Sequence, residues 1–76
     1  MAKKYWSTPR HWVKIGNNYE LLLEVDGHVY TASYIIYDDL NLTNEVIEVN
    51  KRIREANLIE RIENELDIRV KFNDEL

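Results

Sequence analysis

Residues 10–37 alternate apolar and polar side chains with a period of two, which predicts three β-strands in a meander. The dipeptide Asp26-Gly27 lies between two of these runs, and Asp-Gly is typical of a two-residue type I′ hairpin turn. A turn of that length sets the register, with Leu23 expected opposite Tyr30. The middle and last strands are therefore expected to form an antiparallel hairpin with one apolar face.

The first strand of the meander, residues 10–15, is joined to the middle strand by residues 16–18, Gly-Asn-Asn. We expect a three-residue loop here, because it sets Lys14 opposite Glu20 as a favourable cross-strand charge pair. A two-residue loop formed by the two asparagines would turn Lys14 towards the core. The three-residue register places Trp12 on the sheet face that points away from the rest of the chain.

Residues 43–66 carry apolar side chains at helical spacing. The repeating positions are Val46, Val49, Ile53 and Ala56, followed by Ile59, Ile62 and Leu66. The stripe slips by one residue near Asn57, which also begins a capping-box pattern. The segment is therefore either one helix with a bent stripe or two helices broken near Asn57. Leu58 lies off the main stripe, within a mixed-charge surface of the type that usually faces solvent.

The start and length of this helical segment leave further alternatives. Three residues compete as its N-cap, namely Asn41, Thr43 and Asn44. An unbroken helix over 43–66 would be about 36 Å long, whereas the predicted strands are about 27–30 Å. This mismatch favours either a break or a helix end that projects beyond the sheet.

Residues 67–72 alternate again, with Ile68, Val70 and Phe72 on one face and two basic residues on the other. This pattern predicts a short fourth strand on a sheet edge that its charges protect. The predicted fold class is α+β, a two-layer sandwich of a three-stranded antiparallel meander, a helix and a short fourth strand. Residues 1–9 are expected to form a basic, aromatic N-terminal arm.

Composition narrows the class of protein. The chain has 76 residues, no cysteine, two glycines, one proline and a net charge of −4. We interpret residues 1–76 as a single domain, because a chain of this length rarely divides its core. The absence of cysteine excludes a disulfide scaffold and a cysteine-ligated zinc module. No apolar run suits a membrane span and no leader is visible, so we expect a cytoplasmic protein without membrane contact.

The charge is unevenly distributed: residues 1–15 hold four basic residues and no acidic one, whereas residues 16–45 hold six acidic residues and no basic one. Basic and aromatic side chains together are typical of nucleic-acid contacts. The candidate residues are Lys3, Lys4, Tyr5, Trp6, Arg10, Trp12 and Lys14. The acidic remainder of the chain would repel phosphate, so nucleic-acid binding is the alternative function and not the leading one.

Candidate catalytic chemistry is absent from the sequence. His11 and His28 are expected on the two outer strands, about 12 Å apart, too far to share a metal or a proton. No serine or threonine has a glycine elbow, and no phosphate-binding loop occurs. We therefore predict a protein with no catalytic residues, no metal site and no cofactor, and not an enzyme.

The outward face of the predicted sheet is more apolar than a solvated face requires. The candidate protein-binding residues on it are Trp12, Leu22, Val29, Thr31 and Tyr37, with Glu20 and Glu24 at the polar rim. Three occupants remain open: the N-terminal arm of the same chain, a second copy in a homodimer, or a different protein.

These patterns favour a small, non-catalytic protein-binding regulator or inhibitor. Short cysteine-free chains of this kind are common among bacterial and phage accessory proteins, and inhibitors of host defence such as anti-CRISPR proteins belong to that population. An anti-defence factor is therefore one form of the hypothesis, although no motif of this chain indicates it.

Overall fold

The computed structural model describes residues 3–35 and 43–75. The elements are β1 (Tyr5–Thr8), β2 (Trp12–Ile15), β3 (Asn18–Val25), β4 (His28–Ile35), α1 (Asn44–Leu66), β5 (Arg69–Phe72) and a short 3₁₀-helix (Asn73–Glu75). Strands β2, β3 and β4 form an antiparallel sheet in that order, and β1 pairs in parallel with β5. The predicted α+β class, with its meander, helix and later strand, is confirmed.

The β3–β4 hairpin has the predicted register, with Leu23 opposite Tyr30. Asp26 and Gly27 form the turn with φ angles of 51° and 81°. A type I′ turn requires positive φ at both central positions, which Asp and Gly tolerate better than other residues. The local turn chemistry therefore determined this half of the sheet.

The predicted three-residue loop before β3 is wrong. Gly16 and Asn17 form a two-residue turn, so Lys14 lies opposite Tyr19 and Trp12 lies opposite Leu21. Gly16 has φ 61°, as the first position of a type II′ turn requires. Two-residue turns match the twist of the strands they join, and a shift of one residue moves every β2 side chain to the other face.

The helix α1 is continuous over 23 residues, so the break considered near Asn57 does not occur. Thr43 is the N-cap, and its Oγ1 accepts a hydrogen bond from the Val46 N–H at 3.2 Å. The helix ends at Leu66, and its C-cap Asp67 adopts the left-handed conformation with φ 53°. At about 35 Å, α1 is longer than the eight-residue β4 at about 26 Å. The helix is therefore unbroken and longer than the strand, as expected for the alternative in which one helix end projects beyond the sheet.

The buried face of α1 differs from the predicted stripe. Leu58 and Ile62 are buried, whereas Val46, Val49 and Ile53 are 41%, 58% and 52% exposed. The expectation that the stripe of Val46, Val49 and Ile53 packs on the sheet, and that Leu58 faces solvent, is wrong.

Aromatic rings on the sheet explain this rotation of the helix. The Lys51 Nζ lies 5.1 Å from the Tyr19 ring centroid, and the Arg54 Cζ lies 4.6 Å from that of Tyr34. Long cationic side chains cover aromatic rings with their stems and attract the ring faces with their charge. The N-terminal half of α1 therefore docks through cations on aromatic rings and turns its aliphatic stripe outwards.

The predicted faces of residues 67–72 are confirmed, since Val70 and Phe72 of β5 are buried together with Ile68, which directly precedes the strand. Its partner is β1, so residues 5–8, assigned above to an arm, form a strand instead. Parallel pairing joins the two ends of the described chain, which no local pattern indicates. The alternative that residues Lys3 to Pro9 cover the outward sheet face does not occur.

The core lies between α1 and the inner faces of the strands. Its buried apolar residues are Leu21, Leu23, Val25, Tyr30, Leu58, Ile62, Ile68, Val70 and Phe72. Trp6 and Trp12 pack against this cluster. Every described strand except β2 contributes at least one buried residue, which ties β1 and β5 to the meander through the core.

Tyr30 supplies a pH-dependent contribution to stability. Burial, followed by a hydrogen bond to Glu65 and the negative charge of Glu65, raises the pKa of this phenol above its ordinary value of 10.0, and Arg61 opposes the shift. The native state then keeps a proton that the unfolded chain has lost, so stability falls as the pH rises above 10. Denaturation between pH 8 and pH 11 is expected to show a shallower decline for Tyr30→Phe than for the wild type. Glu65→Gln should reduce the decline partially, and identical profiles for all three proteins would contradict the assignment.

Candidate protein-interaction surfaces

The outer face of the meander is defined here as the side of β2, β3 and β4 that points away from α1. Five aliphatic residues on it are exposed: Val13 (42%), Ile15 (61%), Leu22 (59%), Val29 (62%) and Ile35 (42%). Successive strand residues point to opposite faces of the sheet, and in these strands several of the outward positions are apolar, where a solvated sheet would have polar residues. A group of exposed aliphatic residues on one sheet face is typical of an interaction surface.

The charge of the outer face has a single sign. Among the strand positions on this face, Glu20 and Glu24 are the charged residues. Ser33 donates a hydrogen bond from its Oγ to the Glu20 Oε2 at 2.6 Å, which holds that carboxylate in the middle of the sheet. Thr31 lies beside Leu22 in the cross-strand pairing. The face therefore combines an aliphatic surface with fixed negative charge.

Most of the predicted protein-binding residues meet on this face. Leu22, Val29, Thr31, Glu20 and Glu24 share it, as the β3–β4 register requires. Val13 and Ile15 also lie on the outer face, whereas the predicted β2 register placed them on the inner face. The position of Tyr37 lies outside the described residues.

Trp12 does not belong to the outer face. Its indole Nε1 donates a hydrogen bond to the Glu55 Oε2 of α1 at 2.7 Å, and Lys51 lies 5.7 Å from its ring centroid. The expected aromatic anchor of the protein-binding surface is therefore on the inner face, and this expectation is corrected. The one-residue difference in the β2–β3 loop is the physical reason.

A buried polar cluster forms around Glu55, which is 4% exposed. The Arg10 Nε lies 3.1 Å from the Glu55 Oε2, and the Arg10 Nη1 donates to the Asp74 Oδ2 at 2.9 Å. The Arg10 guanidinium also lies over the Phe72 ring, with its Cζ 4.4 Å from the centroid. This cluster joins the segment before β2, the helix and the chain after β5, so its role is to hold these elements together.

A cavity of about 240 Å³ borders this cluster. It is lined by Arg10, Arg52, Glu55, Ala56, Ile59, Val70 and Phe72. The Arg52 Nη1 lies 3.9 Å from the Glu55 Oε1, so the positive and negative side chains that line the cavity already form ion pairs with one another. The local sequence pattern does not predict this cluster; its one indication is an acidic residue, Glu55, next to the apolar stripe of α1.

The candidate nucleic-acid residues do not form a common free surface. Lys3 pairs with Asp67 at 3.4 Å and Lys4 with Asp26 at 3.9 Å. Trp6 and Trp12 pack against the core, and Arg10 is held by Glu55 and Asp74. Tyr5 is 57% exposed, and Lys14 lies with its Nζ 5.9 Å from the Tyr19 ring. Most of these candidate nucleic-acid residues are therefore engaged in ion pairs or packed against other side chains.

The outward stripe of α1 is a second exposed apolar surface. Val46, Val49 and Ile53 follow one another at spacings of three and four residues. A groove of about 290 Å³ borders the stripe, lined by Glu45, Val46, Val49 and Asn50. This spacing is typical of helices that pair with another helix.

Comparisons with family models, with curated proteins and with solved structures found no match to this chain. Within residues 3–35 and 43–75, no helix combines the length and apolar character needed to cross a bilayer. In the same part of the chain, no three metal-ligating side chains gather into a possible metal centre.

Proposed function

We propose that this protein is a non-catalytic regulator or inhibitor that binds another protein through the outer face of its meander. The observation that carries the proposal is the group of five aliphatic residues exposed on that one face. Aliphatic surface exposed in this way is stabilised when a partner removes it from water, by about 25 cal/mol per Å². An interaction surface of this type needs no catalytic group.

The partner is a protein with an apolar centre and basic residues around it. Glu20 and Glu24 provide negative charge on the outer face, and its strand positions hold no basic residue. Complementary charge steers such a pair together and discriminates against acidic surfaces. Inhibition of a host defence protein with a basic surface is one form of this proposal, and the cysteine-free composition fits a cytoplasmic site of action.

Leu22→Asp is expected to lower the affinity for the partner by about 30-fold or more, because it places a charge in the apolar centre of the surface. The partner is identified by affinity purification from the native cell with wild-type protein and mass spectrometry. Calorimetry with the purified partner then gives the affinity. Since Leu22 is exposed, the thermal midpoint should stay within a few degrees of the wild type.

Asn64→Asp is the matched control, because it adds the same charge at an exposed position of α1. It should bind like the wild type. A partner that binds Leu22→Asp with unchanged affinity would show that the outer face is not the binding surface. Light scattering tests the homodimer, and a dimer disrupted by Leu22→Asp would identify a second copy as the occupant.

The nucleic-acid alternative has its own measurement. Titration of DNA and RNA oligomers at low salt, followed by tryptophan fluorescence, is expected to give no quenching at micromolar concentration. The ion pairs of Lys3 and Lys4 and the packed rings of Trp6 and Trp12 support this expectation. Quenching that weakens with salt would instead favour nucleic-acid binding.

A further inference from the structure

The free edge of β4 has backbone groups directed away from the sheet. Val25 and His28 flank the two-residue turn as a hydrogen-bonded pair, and hydrogen-bonded and non-hydrogen-bonded pairs alternate from there along β3 and β4. Residues 29, 31 and 33 of β4 fall in the non-hydrogen-bonded pairs, so their N–H and C=O groups point away from β3. The Ser33 carbonyl confirms this direction, because it accepts a hydrogen bond from the Arg54 Nε at 2.9 Å.

Within the described residues, no backbone group pairs with β4 on this side. The N–H and C=O groups of Val29 and Thr31 are therefore available to another strand. In the separate β1–β5 sheet, the outer edge of β5 also meets a side chain of α1, since the Val70 N–H donates to the Glu63 Oε2 at 2.9 Å. A side chain of α1 thus occupies each edge at one point, and on β4 the stretch beside the turn stays open.

A groove of about 220 Å³ runs along the open stretch between β4 and α1. It is lined by Thr31, Ala32, Arg54, Asn57, Leu58 and Arg61. Arg61 is paired with Glu65 at 3.3 Å. Arg54 donates to the backbone carbonyls of Ser33 and Asn50, and in the described part of the chain it forms no ion pair. Among residues 3–35 and 43–75, the groove therefore carries a positive charge without an ion pair, beside a strand edge without a backbone partner.

We propose that the β4 edge binds an extended acidic segment of a partner protein by strand addition. The segment pairs its backbone with Val29 and Thr31, and a carboxylate on its inner side binds Arg54 and the amide of Asn57. Backbone pairing supplies sequence-tolerant affinity, and the charged contact in the groove selects acidic side chains. This site uses the backbone of Val29 and Thr31 and the α1 side chains Arg54 and Asn57, whereas the proposed function uses the outward side chains of the meander, so the inference goes beyond the proposed function.

A second copy of the chain is disfavoured as the occupant. Antiparallel pairing of two β4 edges about a twofold axis would bring the Arg54 side chains of both copies to one seam. Like charges placed together across an interface oppose association. An acidic segment has the opposite charge and meets no such repulsion.

The test uses a capped eight-residue peptide in which valine and glutamate alternate, and a counterpart with lysine in place of glutamate. Titration is followed by the amide resonances of the ¹⁵N-labelled full chain. The glutamate peptide is expected to shift the Val29 and Thr31 amides and to bind at least about 10-fold more tightly than the lysine peptide. N-methylation along the pairing edge of the peptide should abolish binding, whereas N-methylation along its other edge should not.

Variants of the protein complete the test. Thr31→Pro removes an outward N–H without breaking a β3–β4 hydrogen bond and should abolish binding, whereas Thr31→Val should bind like the wild type. Arg54→Gln should weaken the glutamate peptide about 10-fold, and Arg69→Gln on β5 is the matched control.

Several results would overturn the inference. These are the absence of shifts at millimolar peptide, equal affinity for the two peptides, binding that survives N-methylation on both edges, and self-association of the chain through β4 without peptide. Peptide methylation tests backbone pairing even where Thr31→Pro does not fold. Leu22→Asp should leave peptide binding unchanged, so this inference and the proposed function fail separately.

Discussion

Glu55→Ala is expected to lower the free energy of unfolding by about 3–5 kcal/mol, because it removes the buried carboxylate that pairs with the largely buried Arg10 and leaves Asp74, which is more exposed, as the remaining carboxylate partner. Glu55 is 4% exposed and accepts from the Trp12 indole while it faces the Arg10 guanidinium. Small domains have a total stability of about 5–15 kcal/mol, so this loss is a large share of it. Urea denaturation followed by far-UV circular dichroism measures the change.

The control for Glu55→Ala is Glu60→Ala, an exposed glutamate on the same helix, which should change stability by less than about 0.5 kcal/mol. The double variant Arg10→Met with Glu55→Leu should recover much of the loss, because removal of both charges leaves neither one buried alone. A double variant as unstable as Glu55→Ala would mean that the helix packing, and not the charge pair, is what the substitution damages.

Trp12→Ala is expected to lower the free energy of unfolding by about 3 kcal/mol. The ring packs against the core cluster, and its Nε1 donates to Glu55. The substitution thus removes both apolar contact and a hydrogen bond to a buried carboxylate. The same denaturation experiment measures this effect.

Leu22→Ala is the comparison that makes this result informative. Leu22 is 59% exposed, so its truncation should change stability by less than about 0.5 kcal/mol. Trp12→Phe should fall between the two, since it keeps an aromatic ring and loses the indole donor. Equal effects at Trp12 and Leu22 would contradict the β2 register and return Trp12 to the outer face.

These two pairs of substitutions separate structural residues from candidate binding residues. Arg10, Trp12 and Glu55 connect three parts of the chain and are expected to matter for folding. Leu22 and Val29 are expected to matter for a partner and not for folding. The protein therefore offers variants that lose binding while remaining folded, which is the requirement for a clean functional test.

The exposed stripe of α1 illustrates why helical periodicity alone misplaced the helix. Val49 and Ile53 have the spacing of core residues, yet they face outwards because Lys51 and Arg54 reach aromatic rings on the sheet. Periodicity measures where apolar residues recur on a helix; it carries no information about the surface the helix meets. Leu58 shows the converse, a buried residue that the stripe excluded.

Features that depend on residues close together in the chain could be predicted without the fold. The Asp26-Gly27 turn, the β3–β4 register and the alternation of β5 follow from backbone preferences and side-chain period. Leu22 and Val29 were predicted on one face for the same reason.

Features that depend on contacts between segments far apart in the chain could be seen only in the folded protein. Trp12 lies on the inner face because Glu55, more than forty residues later in the chain, accepts its indole hydrogen bond. Strand β1 exists because β5 pairs with it across almost the whole length of the sequence. The local pattern favoured Val13 and Ile15 on the inner face of β2, whereas long-range hydrogen bonding and packing placed Trp12 and Lys14 there.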